Sequence, residues 1–282
     1  DSENTDGASF LLDLGTNGEM VLETVNGKTG KTERIACATA AGPCFEGAKI
    51  SCGMCAETGA VTCIENRDGA FFCVTVQNAP IRGICGSALI DLTAELLRLG
   101  ILTVDGRLLE PEEVVEALSA ESEQKIPSEW ATRVVKVAVS VENSTREDFS
   151  VGFQLAPGIT VTQEDFRELQ LAVGAIRTGI RILFRRGEVT VDDVAHFRIA
   201  GGFGRGIRMR NAQKIGLIPA EISEKKLEFV GNSSLSGAVL AAVSERFWTL
   251  ARTVADTTRC LDLALDRDFS DVFMESMFWE EF

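Results

Sequence analysis

The chain has 282 residues, of which 45% are hydrophobic and 25% charged, and its formal net charge is −14. This length provides core material for one large domain or two modest ones. The acidic balance argues against binding to nucleic acid or to an anionic membrane surface, because both require clustered Lys and Arg. No apolar run reaches the ~18–20 residues of a transmembrane helix and the polar first residues form no signal peptide, so we predict a cytoplasmic protein.

Residues 1–9 are polar and acidic, and we interpret them as a linker remnant before one domain over residues 10–282. The domain begins with two predicted strands, Phe10–Leu14 and Glu19–Val25, which pair as a hairpin. A third predicted strand, Arg34–Thr39, follows after a Gly-rich turn.

The turn of the first hairpin carries a carboxylate and then four small or polar residues: Asp13, Gly15, Thr16, Asn17 and Gly18. Successive N–H groups in such a turn form an anion-binding concavity, and glycine lets the backbone approach a ligand. A carboxylate beside a phosphate repels it unless a cation lies between them, so we expect Asp13 to face a hydrated Mg²⁺. The alternative is an ordinary hairpin with a Gly-rich turn.

A short helix is predicted to begin at Pro43, and the small residues before it would let it approach the hairpin. Glu46 in this helix could contact a metal-bound water, but we favour a solvated side chain.

Four of the eight cysteines follow the spacing C-x7-C-x2-C-x7-C, at Cys44, Cys52, Cys55 and Cys63. The central pair has metal-ligand spacing, and four thiolates could hold zinc or an iron–sulfur cluster. Cysteine also serves as a small apolar core residue, which is the competing interpretation.

The middle of the chain predicts two strands, Ala60–Glu65 and Ala70–Val76, and an apolar helix opened by Gly86 and Ser87. We interpret this helix as core packing. Residues 105–155 are less patterned, and we interpret them as a peripheral insertion.

Thr162 is predicted to cap a long helix with acidic residues in its first turn. Its apolar residues recur at spacings of three and four, at Phe166, Leu169, Val173, Ile176, Ile180 and Leu183. This stripe predicts a core helix, with the seam of a homodimer as the alternative.

A buried strand, Phe197–Ala200, runs into Gly201, Gly202 and Gly204, and a short helix follows. This layout brings backbone against a nucleotide, although the glycine spacing is not a dinucleotide fingerprint.

The last third predicts a strand at Leu227–Val230 and a helix from about Ser236 through Leu250. The tail over residues 261–282 mixes carboxylates with aromatic residues, and we expect it to dock on its own domain.

Several stretches resemble, in the same order, the C-terminal part of the reductive activators of corrinoid proteins. They are LLDLGTNGEMVL, ATAAGPCFEGAKISCGM, GICGSALIDL, IAGGFG, IGLIP and VGNSSLSGA. The D-x-G-T-N-G-E hairpin is also similar to a phosphate-binding hairpin of the actin-like ATPase superfamily. The resemblance covers most of the chain and is weakest over residues 105–155.

The resemblance implies an α/β fold, namely one half of an actin-like (ribonuclease H-like) ATPase with a mixed sheet flanked by helices. It implies ATP and Mg²⁺ as cofactors. Asp13 would organise Mg²⁺ through water. The phosphates would be held by Gly15, Thr16, Asn17 and Gly18, and adenosine by Gly201, Gly202 and Gly204.

The family architecture places a first actin-like half and a [2Fe–2S] module upstream, and neither is found in this sequence. We therefore expect a C-terminal fragment or a shortened relative, which leaves open whether it binds ATP alone. The implied function is ATP-dependent return of a corrinoid protein from Co(II) to Co(I). The alternatives are a small-molecule kinase of the same superfamily and a docking module without turnover. The relatives usually lack thiols at most of the four cysteine positions.

Overall fold

The structure is a computed structural model, and it describes residues 7–26, 29–119, 126–139, 148–202 and 206–280. Its centre is a mixed sheet of six strands. In order across the sheet these are β11 (Leu227–Gly231), β10 (Val194–Ala200), β1 (Ala8–Leu14), β2 (Gly18–Val25), β3 (Thr32–Thr39) and β12 (Thr258–Cys260). The first three strands of the chain are antiparallel, whereas β10 and β11 run parallel to β1 and β12 runs parallel to β3.

Strand β1 shows the period-two burial of a sheet strand, because successive side chains point to opposite faces. Phe10, Leu12 and Leu14 are fully buried, and the residues between them are half-buried. The strand already begins at Ala8, whose amide donates to Asp193 O at 2.8 Å. The predicted linker over residues 1–9 is therefore too long, because Ala8 and Ser9 already belong to β1. Residues 1–6 lie outside the described residues.

The long helix α4 (Gln163–Gly187) covers the buried face of the sheet. Thr162 and Asp165 form a capping box at its start, which confirms the predicted cap. A Cβ on Gly179 would lie only 2.8 Å from Met20 Cε, so glycine allows the helix to lie close to β2. The predicted apolar stripe, from Phe166 to Leu183, is buried in this chain's own core. It is therefore not the seam of a dimer.

Two smaller sheets and three helices lie beside the central sheet. They are β4 (Ala60–Arg67), β5 (Ala70–Thr75), β6 (Gly83–Ile84), α1 (Gly86–Arg98), α2 (Pro111–Ser119), α3 (Ser128–Ala131), β7 (Val134–Val139), β8 (Asp148–Ala156) and β9 (Ile159–Thr162). The sheets have the orders β5-β4-β6 and β7-β8-β9. Trp130 joins them, because its ring lies 5.2 Å from that of Phe71 and 5.6 Å from that of Phe153. The region predicted as a less patterned insertion is thus ordered where the structure describes it.

The remaining helices are α5 (Met209–Lys214), α6 (Ser233–Val243), α7 (Glu245–Thr257) and α8 (Phe269–Ser276). The prediction of one continuous helix through Leu250 is wrong, because Ser244 is extended, with φ −145° and ψ 116°, and separates α6 from α7. Serine offers the backbone non-helical hydrogen bonds and is a weak helix former. Neither α6 nor α7 contributes a buried residue, and several of their large apolar side chains, including Val243 and Trp248, are exposed.

The C-terminal tail docks on its own domain, as predicted. Trp279 is buried, and its amide donates to Val104 O at 2.8 Å. From α4, Gln170 Nε2 donates to Met277 O at 2.6 Å and Arg177 Nη1 donates to Glu280 O at 2.8 Å. No helix among the described residues combines the length and the apolar character needed to cross a bilayer.

Candidate functional site

Three parallel strands end at the same edge of the central sheet. Asp13 of β1 lies opposite Ala200 of β10, which in turn lies opposite Gly231 of β11. The Gly201 amide donates to Gly231 O at 2.9 Å. Ligands of open α/β sheets bind outside the carboxyl ends of their strands. This edge is therefore where the fold favours a ligand.

Gly201 brings the hairpin and the predicted glycine bend into contact. Its φ of +101° lies in the region that favours glycine. A Cβ at this position would lie 2.2 Å from Leu14 O and 3.1 Å from Asp13 Oδ1. Any side chain would therefore collide with the end of β1, so the close approach requires glycine. The two segments that the sequence predicts to share a nucleotide are neighbours.

The tip of the hairpin is partly open to a ligand. Thr16 and Asn17 are exposed. The Gly15 amide donates to Asn17 O at 2.9 Å, so this donor is already used within the turn. Gly18 is buried, and a Cβ there would lie 2.9 Å from Thr39 Oγ1. Of the four predicted phosphate-binding residues, Thr16 and Asn17 therefore present side chains to solvent, and the two glycines shape the turn.

Glu46 is part of the rim of this site. Glu46 is exposed, as the preferred interpretation expects, and its carboxylate also accepts a hydrogen bond of 3.1 Å from Thr16 Oγ1. The contact arises because the short 3-10 helix Pro43–Glu46 lies beside the hairpin, as the small residues before it predict. Asp13 and Glu46 both place negative charge at this edge. An anionic ligand here would need a cation beside it.

Ser234 is a member of the site that sequence reasoning missed. Its hydroxyl donates to Asp13 Oδ2 at 2.7 Å, although the two residues are 221 positions apart in the chain. Asn232 caps α6 and its side chain accepts from the Leu235 amide at 2.9 Å. The signal was present in the sequence as a Gly-Asn-Ser-Ser segment after a predicted strand, but nothing local indicated its contact with Asp13.

Gly202 and Gly206 lie on the two sides of residues 203–205, which are outside the described residues. Gly202 is exposed, and an added Cβ would meet nothing within 4 Å, so there is open space beside it. Gly204 lies outside the described residues. A Cβ on Gly206 would lie 3.2 Å from Ser87 Cβ, which places the end of the bend against the start of α1. The Ser87 hydroxyl donates to Thr62 O at 3.0 Å.

A charged network anchors the chain after the glycine bend. Asp91 on α1 is buried and accepts from Arg208 Nε at 3.0 Å, from Arg208 Nη2 at 2.6 Å and from Asn211 Nδ2 at 2.5 Å. It also accepts from the Ile64 amide at 3.2 Å, and Arg208 pairs in addition with Glu65. Gly201 is thus held against β1, and Arg208 against α1 and β4. No local sequence pattern assigned a role to Asp91, Arg208 or Asn211.

The four cysteines predicted as metal ligands do not form a shared site. Among the described residues, no group of three or more His, Cys, Asp or Glu side chains is placed to hold a metal ion, and all four cysteines are described. Cys44 is buried, Cys52 and Cys63 are half-buried, and Cys55 is exposed. The spacing of the central pair fixes distance along the chain but not the direction of the side chains, so the prediction is corrected here.

Thiol modification should follow burial. Burial raises the pKa of Cys37, Cys44 and Cys52 to about 12, which keeps them protonated. We expect a thiol reagent near neutral pH to modify the exposed Cys55 and Cys260 in the native chain. The protonated thiols of Cys37, Cys44 and Cys52 should react only after denaturation. Mass spectrometry of peptides from native and unfolded samples measures this, and rapid native labelling of Cys44 would contradict the placement of the short helix against the core.

The sheet and the hairpin at its edge define an actin-like α/β fold, which confirms the predicted fold class. A family model described as the C-terminal domain of RACo, the ASKHA domain, matches residues 7–281. The chain belongs to this family.

Three relatives extend the comparison. A solved structure named reductive activator for corrinoid, iron-sulfur protein is similar with a TM-score of 0.75 and 30% identity, over 98% of this chain and 40% of that chain. The corrinoid activation enzyme RamQ of Eubacterium limosum is 29% identical over 94% of this chain and 42% of RamQ. The Co(II) methylated amine-specific corrinoid protein reductase of Methanosarcina barkeri is 28% identical over 81% of this chain and 37% of the reductase. The chain therefore spans about two fifths of the length of these relatives.

Proposed function

We propose that this chain is the ATP-binding and ATP-hydrolysing part of a reductive activator that returns a corrinoid protein from Co(II) to Co(I) in the cytoplasm. The observation that carries the proposal is the contact of Gly201 with Leu14 and Asp13, because it joins the hairpin and the glycine bend in one site. The corrinoid partner is supported by the names of the relatives, all of which refer to corrinoid proteins.

In this proposal Gly15 and Gly18 shape the turn, and the other predicted residues keep their roles. Asp13 holds Mg²⁺ through water, since Mg²⁺ binds through one or two carboxylates together with phosphate oxygens. Asn17 donates to the phosphates from the turn that Gly15 and Gly18 shape, and Thr16 joins it when its hydroxyl turns from Glu46 to a phosphate. Adenosine lies on Gly201, on Gly202, beside which there is open space, and on Gly204. The residues present therefore fit a magnesium nucleotide.

The electron would come from a cluster in another part of the full protein. No cysteine set among the described residues is placed to hold one. The [2Fe–2S] cluster expected elsewhere in the full protein would supply the single electron that takes Co(II) to Co(I). ATP binding or hydrolysis supplies a conformational step that couples to this transfer, provided that nucleotide states differ in their affinity for the partner.

The test is calorimetry of this chain with Mg·ATP, followed by ATPase measurements with and without a corrinoid protein in the Co(II) state. We expect Mg²⁺-dependent binding, with hydrolysis that responds to the corrinoid protein. Retained corrinoid-protein binding without nucleotide binding would identify a docking module instead. Phosphorylation of an offered sugar or carboxylate, without any response to the corrinoid protein, would identify a small-molecule kinase.

A further inference from the structure

Ser234 places the first turn of α6 directly on the carboxylate that the proposed function assigns to the cation. Its Oγ donates to Asp13 Oδ2 at 2.7 Å. The other oxygen, Oδ1, lies beside Gly201, where a Cβ would come within 3.1 Å. The two oxygens of Asp13 therefore have different surroundings: Oδ2 accepts a hydroxyl, and Oδ1 lies beside the backbone of Gly201.

The geometry around Ser234 limits its movement. Asn232, two residues before it, accepts from the Leu235 amide through its side chain, which closes the first turn of α6. On the other side, Asp13 is fixed by the pairing of β1 with both β2 and β10. Both side chains extend from backbone that is held in place, so the hydrogen bond between them keeps the carboxylate in one orientation.

We infer that Ser234 is a positioning residue for the cation of the nucleotide. This inference rests on the proposed function. The hydroxyl holds Asp13 Oδ2 and so fixes the rotation of the carboxylate that would face the water shell of the cation. Hydrogen bonds to a charged group are stronger than those between neutral groups and fix its direction. Loss of the hydroxyl should leave the carboxylate in place but free to rotate, so the cation should bind more weakly.

The exposure of Ser234 separates this role from stability. The residue is exposed and its hydrogen bond is open to water, so its loss should change the free energy of unfolding little. Ser236 provides a matched control: it is also exposed, lies on the same helix, and its Oγ donates to Asn232 O at 3.0 Å rather than to the site.

The experiment measures the affinity of Mn²⁺ for the chain in the presence of ATP by electron paramagnetic resonance, a readout that does not depend on turnover. Ser234→Ala should raise the Mn²⁺ dissociation constant about tenfold, the size expected for one hydrogen bond to a charged group. Ser234→Thr should restore it, and Ser236→Ala should match the unsubstituted chain. All three variants should unfold at the same temperature as the unsubstituted chain.

Three results would overturn the inference, and they can be told apart. Equal Mn²⁺ affinities for Ser234→Ala and Ser236→Ala, with the unsubstituted chain binding the cation, would remove the role of Ser234 alone. Absence of cation and nucleotide binding by the unsubstituted chain would overturn the proposed function and this inference with it. A lower unfolding temperature of Ser234→Ala with unchanged Mn²⁺ affinity would show a purely structural contact.

Discussion

Replacing Asp13 with Asn is expected to lower the rate of Mg²⁺-dependent ATP hydrolysis by about 10²–10³-fold, the loss typical when one preorganised electrostatic group is removed. Asparagine keeps an oxygen that can accept from Ser234, so the hydrogen bond of 2.7 Å and the fold should persist. What disappears is the negative charge that would hold the hydrated cation. Affinity for ATP without Mg²⁺ should not fall, because a carboxylate repels bare phosphate.

The control for this variant is Glu23→Gln, on the neighbouring strand. Glu23 lies on β2, opposite Ser9 of β1, and pairs with Arg34, so it is a carboxylate of the same sheet but not of the site. Steady-state rates measured across Mg²⁺ concentrations, together with calorimetry of nucleotide binding, compare Asp13→Asn with Glu23→Gln. Full activity of Asp13→Asn would exclude Asp13 as the cation ligand.

Replacing Asp91 with Ala should destabilise the chain by about 3–5 kcal/mol, the range found when one partner of a buried ion pair is removed. Asp91 is 1% exposed and accepts from four donors, two of them on Arg208. Without it, the Arg208 guanidinium keeps Glu65, but the buried Asn211 amide and the Ile64 N–H lose their acceptor. Because Arg208 follows the glycine bend, nucleotide affinity should fall as well.

Chemical denaturation followed by circular dichroism measures this loss. Asp91→Asn should lower the free energy of unfolding less, because asparagine keeps the shape of the side chain and one acceptor oxygen. Glu23→Ala breaks the pair of Glu23 with Arg34, whose side chains are 41% and 25% exposed, and should cost less than about 1 kcal/mol. If Asp91→Ala were as stable as Glu23→Ala, the network would not anchor the loop.

Local patterns predicted the parts of the fold that local physics determines. The strand β1, the cap at Thr162 and the apolar stripe of α4 can all be predicted from a few neighbouring residues, and each is confirmed. Strand β12 could not be predicted, since three residues carry no period and pair with β3 only after the chain has crossed from β11. The break at Ser244 lies in a Ser-Glu-Arg segment whose residues also occur within helices, which conceals it.

The candidate site also has a part that local sequence predicted and a part that it could not predict. The hairpin and the glycine bend were found from turn chemistry, because glycine and Asn-Gly sequences have strong conformational preferences. The contact of Ser234 with Asp13 depends on the register of three parallel strands, which no local pattern specifies. The cysteine spacing failed for the complementary reason, since it suggested proximity among side chains that the fold directs to different places.

The bare apolar faces of α6 and α7 affect how melting of this chain should be followed. Exposed groups such as Val243 (76%) and Trp248 (55%) offer a folded-state surface to hydrophobic fluorophores. Such a probe will bind to the folded chain and fluoresce before any unfolding begins, so its fluorescence cannot be equated with loss of structure. Far-ultraviolet ellipticity or scanning calorimetry, neither of which relies on an added reporter, will give the true transition.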